Sequence, residues 1–305
     1  MRKIAFVYPG QGVQKVGMGK DFYDTFEEAK AEIDLASKVS GIDLTKLLYE
    51  ENDKINETEF TQLAIVATCS AMTRVIMNKG IKADVAGGLS LGEYSALRAN
   101  GALDADTVYD LIHKRGKFMQ ESSPDVEGAM SAIIGLDKEA VDEVCDGIEG
   151  AYIANLNCPG QIVISGEKSA IAKANEQLLA KGARKVVPLN VSGAFHSALM
   201  KEAAEKLEAE LKNVEIHDMA FPYVANVNAE IISDKALVKE NLTKQVYSSV
   251  RWEESVRNMI ASGVDLFIEI GPGKTIAGFL RKIDPSKEVI NIQTVEDLEK
   301  LNDIA

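Results

Sequence analysis

A single serine in a glycine-flanked stretch is the residue best suited to nucleophilic chemistry. Ser90 lies in Gly88-Leu89-Ser90-Leu91-Gly92, after a short apolar run and before a helical pattern. Strand, sharp turn and helix in this order are typical of a nucleophile elbow, in which a strained turn exposes the serine oxygen. The N–H of Leu91 and the positive end of the helix dipole would then stabilise a developing oxyanion. A glycine-rich turn with a capping serine is the alternative, and this pentapeptide alone does not exclude it.

A serine nucleophile also needs a base within hydrogen-bond distance and a group that orients the base. Among the three histidines, His196 is the best candidate because it lies in a loop of small residues, whereas His113 stands in a charged helix and His217 in a polar stretch. A structural histidine is the alternative at each position. An α/β-hydrolase carries its acid between the serine and the histidine. Candidates such as Asp137 exist there, but none has a distinctive setting.

The elements that must position these residues alternate between strands and helices, which predicts an α/β protein with a mostly parallel sheet covered on both faces. Strands are expected at 3–8, 85–88, 222–225, 265–270 and 289–292, and the main helices at about 21–37, 43–49, 57–79, 105–119, 199–211, 239–246, 252–261 and 295–301. Between 128 and 189 the order is strand, helix, strand, strand, helix, strand, which is ferredoxin-like. We therefore expect a large α/β unit of residues 1–127 and 191–305, with a small ferredoxin-like unit of residues 128–190 inserted as a wall or lid.

Composition excludes several classes of partner. The 305 residues carry 34 Lys+Arg against 47 Asp+Glu, a formal net charge of −13, which disfavours duplex nucleic acid and anionic membranes. The three cysteines have the spacing of neither a zinc site nor a disulfide framework, which fits a reducing cytoplasm. No stretch approaches the length of a membrane span, and the first apolar run, ending at Pro9, is too short for a signal peptide. We expect a cytoplasmic monomer.

Four separated segments together resemble the malonyl-CoA:acyl carrier protein transacylase family of fatty-acid synthesis. They are Pro9-Gly10-Gln11-Gly12, Gly88-Leu89-Ser90-Leu91-Gly92-Glu93-Tyr94-Ser95-Ala96-Leu97, Gly193-Ala194-Phe195-His196-Ser197 and Glu269-Ile270-Gly271-Pro272-Gly273. Further matches are Thr61-Gln62, Lys114-Arg115-Gly116, Asn157-Cys158-Pro159-Gly160-Gln161 and Gln245. The resemblance covers essentially the whole chain, and with it we expect an α/β-hydrolase-like core. Leu89, where many members have histidine, and Ala198, where proline is common, depart from the pattern without removing a group that the chemistry needs.

The resemblance implies a catalytic role for each matching residue. Ser90 would be acylated, and His196 would be its base. The backbone carbonyl of Gln245 would hold the imidazole in place of an acid. The backbone N–H groups of Gln11 and Leu91 would form the oxyanion hole.

The resemblance also implies how the substrate is bound. Arg115 would receive the free carboxylate of malonate as a two-pronged ion pair, which a planar guanidinium suits. Phe195 would narrow the pocket against branched acyl groups, and Asn157 and Gln11 would contribute to substrate binding. The implied reaction moves a malonyl group from malonyl-CoA to the phosphopantetheine thiol of acyl carrier protein, and it requires no metal and no cofactor.

Two other functions are compatible with these residues. A serine esterase or thioesterase of the α/β-hydrolase type would share the elbow and the base but would transfer the acyl group to water. A non-catalytic acyl-binding module would bind without reacting. Ser90, His196 and Arg115 are all intact, which argues against the second alternative.

Overall fold

The structure is a computed structural model that describes residues 2–122, 127–191, 193–302 and 304. Within those residues the chain forms ten β-strands and twelve α-helices. The elements before the second sheet are β1 (Ile4–Tyr8), α1 (Lys20–Thr25), α2 (Glu27–Ser40), α3 (Leu44–Tyr49), α4 (Thr58–Asn78), β2 (Val85–Gly88), α5 (Gly92–Ala99) and α6 (Ala105–Glu121). They are followed by β3 (Gly128–Ile134), α7 (Lys138–Asp146), β4 (Ala151–Cys158), β5 (Gln161–Glu167), α8 (Lys168–Ala180) and β6 (Lys185–Pro188). The remaining elements are α9 (Lys201–Leu211), β7 (Tyr223–Val224), β8 (Ile231–Ile232), α10 (Val238–Gln245), α11 (Trp252–Ala261), β9 (Leu266–Ile270), α12 (Thr275–Ile283) and β10 (Glu288–Ile292).

The larger sheet has the strand order β10-β9-β1-β2-β7-β8 and is parallel except for β8, which runs antiparallel to β7. Both faces of its central strand are covered. Phe6 and Tyr8 pack into one hydrophobic cluster, and Ala5 and Val7 pack into another on the opposite face. Such burial on both sides explains why β1 reads as a continuous apolar run. The pairing of Tyr8 with Gly88 brings the carboxyl ends of β1 and β2 side by side, where open α/β sheets place their ligands.

Helix α4 lies in the core of this larger layer. It is long and apolar enough to cross a membrane by length and composition, which corrects the expectation that no stretch approaches that length. However, 83% of its most apolar window is buried inside the protein, as expected of a core helix. Burial on nearly all sides also explains why its apolar residues are not confined to one stripe.

The second sheet is antiparallel, with the strand order β4-β5-β3-β6. Helices α7 and α8 pack on it through a third hydrophobic cluster that includes Val141, Ile164 and Leu178. Element order and strand order together are ferredoxin-like. Strand β4 is also tied to the segment before α11, because the N–H of Val250 donates to the carbonyl of Ala154 at 2.8 Å and the N–H of Leu156 donates to that of Val250 at 2.9 Å.

Two local expectations were wrong, and one strand was not predicted. The helix expected over 21–37 is instead α1 and α2, separated by Phe26 in an extended conformation that places its ring 6.0 Å from that of Phe22. The helix expected over 295–301 is a 3-10 helix over Glu296–Leu301. Strand β8 was not predicted, because two residues are too few to show a period.

Candidate active site

Ser90 lies at the sharp turn between β2 and α5, with a φ angle of 55°. A left-handed conformation at a residue other than glycine costs about 1–3 kcal/mol and persists only where the surroundings enforce it. The flanking glycines are required by close approach. A Cβ at Gly88 would lie 2.1 Å from the backbone of Gly92, and a Cβ at Gly92 would lie 2.6 Å from the carbonyl oxygen of Tyr8. The side chain of Ser90 stays partly exposed, so a substrate can reach its oxygen.

The structure brings His196 to this serine. Nε2 of His196 lies 2.7 Å from Oγ of Ser90, and Nδ1 lies 2.9 Å from the carbonyl oxygen of Gln245. A carbonyl oxygen only accepts, so Nδ1 must carry the proton in the neutral ring, and Nε2 is left to accept from the serine hydroxyl. His196 is itself in the left-handed region, with φ 57°. The arrangement is that of a nucleophile, a base and an orienting group.

The environment of His196 keeps the ring neutral. Burial, followed by the positive charge of Arg115, lowers the pKa of His196 to about 4, although hydrogen bonds to the backbone at Gln245 and Ser248 oppose the shift. Nε2 is therefore unprotonated at neutral pH and can accept a proton.

Arg115 is fully buried on α6 and points at the same serine. Its Nη2 donates to Oγ of Ser90 at 3.2 Å and to Oε1 of Gln245 at 2.9 Å, and its Nη1 donates to Oε1 of Gln62 at 2.5 Å. The guanidinium lies 5.5 Å from the ring centroid of Tyr94. Within the described part of the chain no carboxylate forms an ion pair with it, and its Nε has no hydrogen-bond partner. Its direct hydrogen-bond partners are all neutral, although the buried carboxyl of Glu93 interacts with its charge. A buried cation without a directly paired anion favours an anionic ligand.

Comparison with known proteins shows the family of the chain. A model of the acyl transferase domain matches residues 5–298. The chain is 45% identical over 305 residues to a malonyl CoA-acyl carrier protein transacylase of Bacillus subtilis (strain 168), with 98% of this chain and 96% of the relative covered. The chain belongs to the malonyl CoA-acyl carrier protein transacylase family. The family predicted from the sequence is thereby confirmed.

Solved structures of this transacylase family share the fold. The malonyl CoA-acyl carrier protein transacylase from Clostridium perfringens has a TM-score of 0.95 at 42% identity, covering 99% of this chain and 96% of that chain. A malonyl-transacylase in complex with its type II PKS acyl-carrier protein has a TM-score of 0.96 at 37% identity, covering 99% of this chain and 100% of that chain. The predicted fold, a mostly parallel α/β core with an antiparallel ferredoxin-like sheet, is confirmed.

The N–H groups of Gln11 and Leu91, which are expected to form the oxyanion hole, lie on two neighbouring turns. Leu91 immediately precedes α5, and Gln11 follows β1 in a loop that touches the elbow, because a Cβ at Gly10 would lie 2.8 Å from the carbonyl oxygen of Leu89. Neither N–H donates to an acceptor in the described residues. The side chain of Gln11 donates to Oγ1 of Thr58 at 3.2 Å. Their role in an oxyanion hole stays a prediction.

The two remaining residues expected in the transacylase site are placed differently. Phe195 is buried beside His196. Its ring lies close to Gly193, because a Cβ added to Gly193 would lie 2.5 Å from Cε1 of Phe195. Asn157 lies on β4 and makes no hydrogen bond with Ser90, His196 or Arg115. Its amide oxygen is buried without a partner among the described residues. Both assignments stay predictions.

The sequence reasoning assigned no role to several side chains of this site. Glu93 is fully buried and accepts from Nε2 of Gln245 at 2.7 Å and from the N–H of Asn226 at 3.0 Å. Burial raises the pKa of Glu93 to about 7, against those hydrogen bonds and the charge of Arg115. Asn226 was missed entirely, although a polar residue directly after a buried strand is a recognisable signal. Gln62 was noted only as a family match.

Proposed function

We propose that this protein transfers the malonyl group of malonyl-CoA to the phosphopantetheine thiol of acyl carrier protein, through a malonyl ester on Ser90, and so supplies fatty-acid chain elongation. The observation that carries the proposal is the position of one oxygen. Oγ of Ser90 lies 2.7 Å from a neutral imidazole and 3.2 Å from a buried guanidinium. The names of the relatives, and the malonyl-transacylase solved with an acyl-carrier protein, support the same reaction.

In the first half-reaction, Oγ of Ser90 attacks the thioester carbonyl of malonyl-CoA while Nε2 of His196 takes the serine proton. Negative charge then develops on the carbonyl oxygen, where the N–H groups of Gln11 and Leu91 stabilise it. When the tetrahedral intermediate collapses, the carbon–sulfur bond breaks. The proton on His196 goes to the sulfur, and coenzyme A leaves as a thiol.

The second half-reaction runs the same steps in reverse with a new thiol. The phosphopantetheine thiol gives its proton to Nε2 of His196 as its sulfur attacks the malonyl ester. The carbon–oxygen bond to Ser90 breaks, and the serine oxygen recovers the proton. The base is neutral at the start of each half-reaction, which the lowered pKa of His196 favours.

Arg115 selects the acyl group. A malonyl group carries its free carboxylate one methylene away from the reacting carbonyl carbon, and Arg115 lies beside the attacking oxygen. Pairing of that carboxylate with the guanidinium compensates a buried charge and fixes the acyl chain in a reactive orientation. Phe195 and Asn157 complete the acyl pocket in this proposal and help to exclude water.

We propose also that residues 128–190 form a small unit that covers the site, carried by a large unit of residues 1–127 and 191–305. All strands of the second sheet come from this stretch, which supports the division. Residues 123–126, next to the first boundary, lie outside the described residues. We place the protein in the cytoplasm, a proposal supported by its three cysteines, which are all free thiols.

The proposal is tested by trapping the intermediate. Incubation with malonyl-CoA should add the mass of one malonyl group to the peptide that contains Ser90, and holo-acyl carrier protein should then remove it. The Ser90→Ala variant, treated identically, is the control. Loss of the adduct to water faster than to carrier protein would favour the esterase or thioesterase alternative. Binding of malonyl-CoA without any adduct would favour the acyl-binding module.

A further inference from the structure

Side-chain amides hold the backbone of Ser90 on both sides. Its N–H donates to Oδ1 of Asn226 at 2.7 Å, and its carbonyl accepts from Nε2 of Gln245 at 3.0 Å. Nδ2 of Asn226 donates in turn to the carbonyl of Gly88 at 2.8 Å. A single carboxamide therefore bridges the residues on either side of Leu89, with its donor and its acceptor both in use.

Asn226 is anchored firmly enough to impose this geometry. It is fully buried two residues after the end of β7, and its own N–H donates to Oε2 of Glu93 at 3.0 Å. Its carbonyl accepts from the N–H of Arg251 at 3.0 Å. Since Glu93 also accepts from Nε2 of Gln245, the amide at position 226 belongs to the same network as the group that orients His196.

The conformation of the elbow requires such support. Ser90 has a φ angle of 55°, and strain of this kind persists only when surrounding contacts over-determine it. The N–H of Ser90 is bound to Asn226, whereas the next N–H along the chain, on Leu91, must stay free if it is to meet an oxyanion. The hydrogen bond from the N–H of Ser90 to Asn226 fixes the plane of the peptide bond between Leu89 and Ser90.

We propose that Asn226 is a positioning residue whose carboxamide holds Ser90 in the strained turn that directs Oγ at His196 and leaves the N–H of Leu91 free. This inference rests on the proposed function, because it gives Asn226 a part in the acylation of Ser90. It assigns Asn226 no contact with the substrate. Its removal therefore slows chemistry and leaves substrate affinity intact.

Two variants separate the hydrogen bonds from the packing. Asn226→Ala removes both hydrogen bonds and leaves a small cavity. Asn226→Asp keeps the volume and the acceptor for the N–H of Ser90, but an ionised carboxylate cannot donate to the carbonyl of Gly88 and repels it. Asn228→Ala is the matched control, because Asn228 lies on the same turn and, among the described residues, its side chain forms hydrogen bonds with Glu230 alone.

The experiment measures acylation of Ser90 by malonyl-CoA, and separately its reaction with a fluorophosphonate, which needs the nucleophile and base but no carboxylate. Circular dichroism of each variant verifies folding. Both variants at position 226 should lose on the order of 100-fold in kcat and in fluorophosphonate rate, with KM for malonyl-CoA unchanged, since small misplacements of a reacting atom cost that much. Asn228→Ala should match the parent.

Other outcomes overturn the inference. A folded variant that reacts with fluorophosphonate at the parent rate, or that changes only KM, shows that Asn226 does not position the serine. If Asn226→Ala does not fold, Asn226→Asp decides, and if neither folds the role is structural and the proposal fails. Parent protein that reacts with fluorophosphonate but never with malonyl-CoA would refute the proposed function, while the fluorophosphonate rates of the variants would still decide the role of Asn226.

Discussion

The carbonyl oxygen of Gln245 lies 2.9 Å from Nδ1 of His196, in the position that a carboxylate occupies in a Ser-His-Asp triad. A peptide dipole orients the ring and fixes its tautomer, but it brings no negative charge to stabilise an imidazolium. Burial and the charge of Arg115 lower the pKa of the ring, and the hydrogen bond to this carbonyl opposes that shift without reversing it. The carbonyl partner also explains why no acid stood out between Ser90 and His196, since the side chain of Asp137 caps α7 instead.

Ser90→Ala should abolish malonyl transfer, by on the order of a millionfold if the serine and its base act as one unit. The reason is that, among the described side chains, only Ser90 offers a nucleophilic atom within hydrogen-bond distance of Nε2 of His196. Release of free thiol from malonyl-CoA measures the loss. Substantial turnover by the folded variant would contradict the assignment of the nucleophile.

The acylation rate should depend on pH through His196. Protonated Nε2 cannot accept the serine proton, so kcat/KM for acylation should fall as the pH drops through about 4 and stay level around neutrality. Arg115 is the second cause of the low pKa, so Arg115→Met should shift the acid limb to higher pH. Acetyl-CoA is the donor for this comparison, because it does not need the guanidinium. An acid limb near pH 6.5 in the parent protein would show that burial does not shift this histidine.

Arg115→Ala should weaken malonyl transfer by about 2–5 kcal/mol in kcat/KM, because the malonyl carboxylate is left without its buried partner. Acetyl transfer should be unchanged or faster. Lys117→Ala is the matched control, since Lys117 lies on the same helix but is exposed. Equal losses for both acyl groups would exclude a role of Arg115 in selectivity.

Gln245→Ala should separate the two functions of Gln245. The backbone carbonyl that holds His196 is retained, but the side-chain hydrogen bonds to Arg115 and Ser90 are lost. Because a hydrogen bond to a charged group contributes about 1.5–3 kcal/mol, malonyl transfer should lose more than acetyl transfer. Lys244→Ala, on the exposed side of α10, is the control. A variant as selective as the parent would show that Gln245 does not fix the guanidinium.

Two glycine substitutions of the same kind should have opposite effects. Gly92→Ala places a Cβ 2.6 Å from the carbonyl oxygen of Tyr8, so the elbow must shift, and both activity and stability should fall. Gly278→Ala on α12 meets no atom within 4 Å and should stabilise the protein by about 0.5–1 kcal/mol, since alanine favours a helix over glycine. Thermal unfolding and transfer assays measure both. A fully active Gly92→Ala variant would mean that the elbow tolerates displacement.

The sequence predicted the fold well where patterns were long. Strand β1 was identified by its continuous apolar run. The ferredoxin-like unit was identified by the order of its six strands and helices. The break between α1 and α2 at Phe26 could not be found, because no glycine or proline marks it in the sequence. The burial of α4 on all sides was likewise invisible in a search for one apolar face.

Within the site, local sequence identified the elbow at Ser90 but could not connect it to distant residues. His196 was chosen by its setting, whereas Arg115, in a charged stretch of helix, looked like a surface residue until the family resemblance assigned it to the pocket. Asn226 carried no motif and was found only through its contacts. Long-range hydrogen bonds of this kind depend on tertiary packing, which no sequence window contains.

The segment from Gln245 to Val250 links the antiparallel sheet to His196. At one end its carbonyl orients His196, and at the other it is hydrogen-bonded to Ala154 and Leu156 on β4. Because both ends of this six-residue segment are hydrogen-bonded, a displacement of β4 would be passed on to the imidazole unless those hydrogen bonds break. A carrier protein that displaced the smaller sheet would therefore also displace the imidazole that we propose as the proton acceptor.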